Sequence, residues 1–106
     1  MREPTYFVLL SLLGGRLHGY GIAKRAEELS GERVRLAAGT LYGALDRLAE
    51  QGLIAVDGVE KVGGRKRRYY TITETGRTEV VAEVARLEAS VAAAKSVNVN
   101  VGTVQP

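Results

Sequence analysis

From Pro4 to Leu13 the chain is almost wholly apolar, Pro4 suits the first turn of a helix, and Gly14-Gly15 stops it. A helix apolar on every side has to be buried, in this chain or against a partner. Polar residues then enter with the helical period. Ile22, Ala26 and Leu29 fall at i, i+4 and i+7 between Gly19 and Leu29, with Lys24, Arg25, Glu27 and Glu28 on other faces and Gly31 beyond the end. The stripe recurs as Leu41, Leu45 and Leu48 between Gly39 and Gln51, where Gly52 supplies a left-handed stop and Thr40, Gly43, Asp46, Arg47 and Glu50 point away from it.

The pattern then changes. Leu53–Val56 and Arg67–Thr73 are rich in β-branched and aromatic residues with Gly63-Gly64 between them, which predicts two antiparallel strands with a basic tip. From Glu74 to about Lys95 the helical period returns, with Val80, Val84, Leu87 and Val91 in register and Thr73 placed to cap the start. The tail from Val97 alternates valine and asparagine, has no obvious partner strand and ends in Gly102 and Pro106. It reads as a flexible segment, 97–106.

A chain of 106 residues accommodates a single modest core. The ordinary balance of apolar and charged residues argues against disorder. No cysteine is present, so neither disulfides nor a thiolate metal site can form, and a reducing cytoplasm is the natural compartment. The apolar run Tyr6–Leu13 is too short to span a bilayer, so no membrane association is expected. Net charge is +3, but Lys61, Arg65, Lys66, Arg67 and Arg68 hold five of the fifteen basic residues, and the remainder is mildly acidic. Such a cluster is either a polyanion site or a solvated hairpin.

Three short helices, a hairpin and a final long helix make the order of a winged helix-turn-helix, a mainly α, α+β fold with a two-stranded wing. The major groove of duplex DNA admits one helix, so the third helix can present side chains to base edges while the second helix and the wing clamp phosphates. The basic wing tip is also suited to the negative potential of the minor groove.

Five segments in register then resemble the PadR family of bacterial transcriptional regulators: Leu17-His18-Gly19-Tyr20-Gly21-Ile22, Gly39-Thr40-Leu41-Tyr42-Gly43-Ala44-Leu45, Glu50-Gln51-Gly52-Leu53-Ile54, Gly63-Gly64-Arg65-Lys66-Arg67-Arg68-Tyr69-Tyr70 and Thr71-Ile72-Thr73-Glu74-Thr75-Gly76. The short chain looks like the compact branch that ends in one dimerising helix. The resemblance implies a winged helix-turn-helix DNA-binding domain over 1–73 and a dimerisation helix over 74–96 in the same compact unit. It also implies a homodimer that reads a partly palindromic operator, usually to repress a promoter. In the family a Ser-Pro pair commonly opens the recognition helix and a second proline follows its tyrosine. Here Ala37-Ala38 and Gly43 stand in those places, so a weaker helix cap is expected. The tryptophan that stacks on planar drugs in compact members is absent.

The candidate DNA contacts are Tyr20, Thr40, Tyr42, Gly43, Arg47, Arg65, Lys66, Arg67 and Arg68, with Arg65 and Lys66 nearest the turn. Tyr20 is either a phosphate contact or half-buried core, and Asp46 is placed to tether Arg47. The candidate dimer seam is Val80, Val84, Leu87 and Val91, helped by Val8, Leu9 and Leu12 of the first helix. Ala82, Ala85, Ala89 and Ala92 either leave room for a small hydrophobic effector at that interface or allow close helix packing. His18, the only histidine, is expected to cap or pack at the start of the second helix. Neither a catalytic constellation nor a metal or cofactor site is legible. The competing reading is a winged helix that binds protein, which would need an exposed apolar patch on the third helix or the wing.

Overall fold

The computed structural model describes residues 1–97. Along them run α1 (Glu3–Ser11), β1 (Leu17–His18), α2 (Gly19–Leu29), α3 (Ala38–Glu50), β2 (Ile54–Val62), β3 (Arg65–Ile72) and α4 (Glu74–Ser96). Ile22 and Ala26 of α2 and Leu41, Leu45 and Leu48 of α3 are buried, as their stripes require, whereas Leu29, the last position of the α2 stripe, is exposed at the helix end. Ile22, Leu41, Leu45 and Leu48 close on Val8 and Leu9 of α1, Leu12 just beyond it, Ile54 of β2, Tyr70 and Ile72 of β3 and Val80 of α4. The helix-turn-helix loop is pinned by the buried Ser30, whose Oγ donates to the Glu27 carbonyl (3.1 Å) and accepts from the Val34 N–H (2.9 Å).

The sheet has three strands in the order β1-β3-β2, all antiparallel, and not the two expected. The extra strand, β1, is Leu17 and His18 paired with Tyr70 and Tyr69, too short to display an alternation. β2 also runs beyond its apolar start. Val56 pairs with Tyr70 and Val59 with Arg68, so Asp57 and Gly58 together oppose Tyr69 in a β-bulge, with Gly58 at φ +102°. Past the bulge the hairpin continues to Gly63 and Gly64, whose φ values of +56° and +79° are those of a two-residue turn matched to strand twist.

Thr73 fastens α4 at its root. Its Oγ1 accepts from the Gly76 N–H (3.0 Å) and donates to the Gly52 carbonyl (2.6 Å), while its own N–H donates to the Leu53 carbonyl (3.1 Å). Gly76 leaves no space for a side chain, since a Cβ there would strike the Leu53 carbonyl and lie 2.7 Å from Ile72 Cγ1. Beyond Glu83, α4 carries no buried residue.

The burial pattern corrects part of the expected dimer seam. Val8, Leu9, Leu12 and Val80 are 0–4% exposed within the single chain, so they hold its own core and have no surface to offer a second copy. Val84, Leu87 and Val91 are 37%, 38% and 47% exposed and remain uncovered. Apart from Val97, the alternating tail lies outside the described residues.

Candidate nucleic-acid interface

The outer face of α3 is set by the same periodicity that buries its inner face. With Leu41, Leu45 and Leu48 turned inward, Gly39, Thr40, Tyr42, Asp46, Arg47 and Glu50 are exposed on the opposite side and Gly43 is half-buried. Ala37 occupies the N-cap and contributes no side-chain hydrogen bond, so the first amides of α3 are left for water or an anion. The Arg47 guanidinium lies back over Gly43, and a Cβ at Gly43 would come 3.5 Å from its Nη1. Asp46 does not tether Arg47: among the described residues the two form no ion pair.

The start of α2 is built for close approach. His18 caps it, Nδ1 accepting from the Gly21 N–H (3.1 Å). Gly19 is buried under Tyr42, and a Cβ at Gly19 would lie 2.7 Å from the Tyr42 hydroxyl oxygen and 2.9 Å from the ring. Tyr20 is 72% exposed and Tyr42 48%, which removes the core alternative for Tyr20. Burial, and then the charge of Arg67, hold the His18 imidazole below its usual pKa, while Glu60 pulls the other way. The neutral ring is the form that can accept a hydrogen bond at Nδ1.

Between the start of α2, Tyr42 of α3 and the wing lies an open cleft of about 750 Å³, which His18, Tyr20, Tyr42, Val59, Val62 and the four cations Arg65, Lys66, Arg67 and Arg68 all line. Register divides the cations. Lys66 and Arg68 share a face with buried Tyr70, and Arg65 and Arg67 share the other with half-buried Tyr69. Among the described residues none of the four has an acidic partner within ion-pairing distance, whereas Arg16, Arg25, Arg33, Arg35 and Arg86 all do. A concave surface with uncompensated cations and exposed tyrosines is suited to a polyanion whose sugars or bases offer apolar contact.

Six of the nine residues singled out from the sequence therefore meet at this cleft: Tyr20, Tyr42, Arg65, Lys66, Arg67 and Arg68. Thr40, Gly43 and Arg47 stand on the adjoining face of α3 and outside the cleft lining. Sequence reading passed over Arg16, Glu60 and the bulge at Asp57-Gly58. A glycine following an aspartate just beyond a strand pattern was the available signal for a bulge.

A family model described as the transcriptional regulator PadR-like family matches residues 8–82. The chain belongs to this family. Over 75 residues this PadR-like protein is 39% identical to an uncharacterised 37.1 kDa protein of transposon Tn4556 from Streptomyces fradiae, a match covering 71% of this chain and 20% of that one. Among solved structures it is similar to Bacillus subtilis PadR in complex with operator DNA, with a TM-score of 0.68 and 26% identity over 78% of this chain and 47% of that chain. It is also similar to a transcriptional regulator from Clostridium thermocellum, with a TM-score of 0.71 and 27% identity over 92% and 91% of the two chains. The PadR-like chain thus spans 47% of Bacillus subtilis PadR and 20% of the transposon protein. Among the described residues no helix is long and apolar enough to cross a membrane.

Proposed function

We propose that this chain is a sequence-specific DNA-binding regulator of transcription, a cytoplasmic homodimer that occupies a partly palindromic operator and represses the adjoining promoter. The carrying observation is the cleft, whose lining brings Tyr20 and Tyr42 together with four wing cations that have no acidic partner among the described residues, two on each face of β3. In this reading α3 enters the major groove with Thr40, Gly43 and Arg47, while Tyr20, Tyr42 and the wing cations clamp the phosphates on either side. The likeness to a PadR in complex with operator DNA supports DNA as the partner.

Residues 1–73 act as the DNA-binding part and α4 as the dimerisation helix of one compact unit. The exposed row Val84, Leu87 and Val91 supports this, because a projecting helical stretch of such length is marginal in water without a partner. A small hydrophobic effector at the dimer interface completes the reading; the open cavity of about 270 Å³ along α1 and α4 offers it Tyr6, Phe7 and Leu87, beside the charged Glu3, Arg33, Glu83 and Arg86. A thermal-shift screen that yields no stabilising apolar compound would remove the effector.

One observation favours a protein-binding winged helix instead: Val56, Val59 and Val62 are exposed on the wing. Two of these valines, however, pair across the hairpin with Arg68 and Arg65, so the patch is interrupted by charge. Selection from randomised duplex DNA separates the readings. The regulator is expected to enrich a two-fold site with half-sites about one helical turn apart; absence of any enriched sequence sends the search to protein partners.

A further inference from the structure

We infer that Arg16, which lies on neither the recognition helix nor the wing, is the positioning residue that sets the angle of the wing against the body. Its consequence for binding rests on the DNA reading; its geometry does not. Arg16 sits between α1 and β1 and reaches both strands of the hairpin at the bulge. Nη1 donates to the Asp57 carbonyl (2.8 Å), Nη2 meets Glu60 Oε1 (3.4 Å), and the guanidinium stacks over the Tyr69 ring, 4.5 Å from its centroid. The Tyr69 hydroxyl in turn donates to Glu60 Oε2 (3.2 Å).

Gly58 provides the seat. A Cβ there would lie 2.8 Å from Arg16 Nη1, at a φ of +102° that other residues rarely adopt. From Val59 to Arg68 the hairpin is exposed throughout, and a two-stranded ribbon without a packed face has little stability of its own. The bulge gives it a hinge, and Arg16 ties the far side of that hinge, through Glu60, to the body.

The strut also accounts for Glu60, a carboxylate on a wing otherwise suited to phosphates. By charge alone, removing Glu60 should tighten binding to a polyanion. If Glu60 seats Arg16, its removal loosens the wing and weakens binding.

The test compares Arg16→Ala, Glu60→Ala and their double variant in affinity for the selected duplex at fixed salt, with hydrogen exchange of wing amides in the free protein read alongside. Each single change is expected to weaken binding about fivefold, from exposed contacts of this kind. The double variant should be no worse than the weaker single, and wing amides should lose protection while those of α2 and α3 keep it. Arg16→Lys should not rescue, because a compact ammonium lacks the planar guanidinium that stacks on Tyr69 while donating from two separate nitrogens. Tighter or unchanged binding by Glu60→Ala, rescue by Arg16→Lys, or unaltered wing protection would each overturn the inference. If the parent protein enriches no duplex, the DNA reading falls and exchange alone decides: protection lost in both single variants upholds the strut, and protection kept removes it.

Discussion

His18 works in two ways, as the cap of α2 and as a member of the cleft wall. Replacing it with alanine leaves the Gly21 N–H without its acceptor, an expected loss of about 1 kcal/mol measurable by chemical denaturation. Because its pKa is depressed in the folded chain, His18 contributes stability that is fully present above the unfolded value of about 6.5. That contribution is lost as pH falls through the lower folded pKa. A His18→Asn variant, which can still cap, should therefore gain on the parent as pH drops from 8 to 5; parallel denaturation curves across that range would contradict the coupling. Two glycines test close packing in opposite ways. Gly76→Ala drives a Cβ into the Leu53 carbonyl, a backbone group that cannot swing aside, and is expected to cost about 2 kcal/mol of stability. Gly19→Ala meets a side chain, Tyr42, that can rotate away, so it should lower DNA affinity more than it lowers the melting temperature.

At the scale of elements, what the sequence disclosed tracks how strongly each element was punctuated. α2 runs over the Gly19–Leu29 expected of it, because a clear stripe is bracketed by His18-Gly19 and Gly31. α3 is shifted by one residue, since Ala37-Ala38 gives no sharp cap. β1 was illegible because two residues have no period, and the length of β2 was hidden by the bulge at Asp57-Gly58, which breaks the strand alternation after Val56. The role of α1 was ambiguous in principle. An all-apolar helix fits a protomer core and a dimer seam equally well until its neighbours are placed, and the structure places Val8, Leu9 and Leu12 in the core. α4 keeps both characters along its length, buried at Val80 and uncovered at Val84, Leu87 and Val91. Val80→Ala should therefore lower stability, by about 1–3 kcal/mol. Leu87→Asp should leave the protomer folded and shift sedimentation from dimer toward monomer. A Leu87→Asp protein that remains dimeric would move the interface away from this face.

For the whole molecule, the distribution of charge matters more than its sum. A net charge of +3 is small, but salt bridges occupy arginines on the body while the wing cations are left open to the cleft. The fold aligns these cations with the start of α2 and the exposed face of α3, and the family match makes the chain one of the PadR-like transcriptional regulators. The candidate site was legible as a list of residue types, whereas the order in which Arg16, Glu60 and Tyr69 hold the wing required the bulge to be seen. If the wing cations neutralise phosphates, duplex binding must weaken with salt in proportion to their number, and a salt titration reads this out. The parent and an Arg65→Ala, Lys66→Ala variant would be titrated with the selected site and with a scrambled control. The expected result is a variant weakened on both duplexes, with the slope of log affinity against log salt reduced by about 0.9 for each phosphate that is no longer neutralised. A variant with the affinity and salt slope of the parent would contradict it.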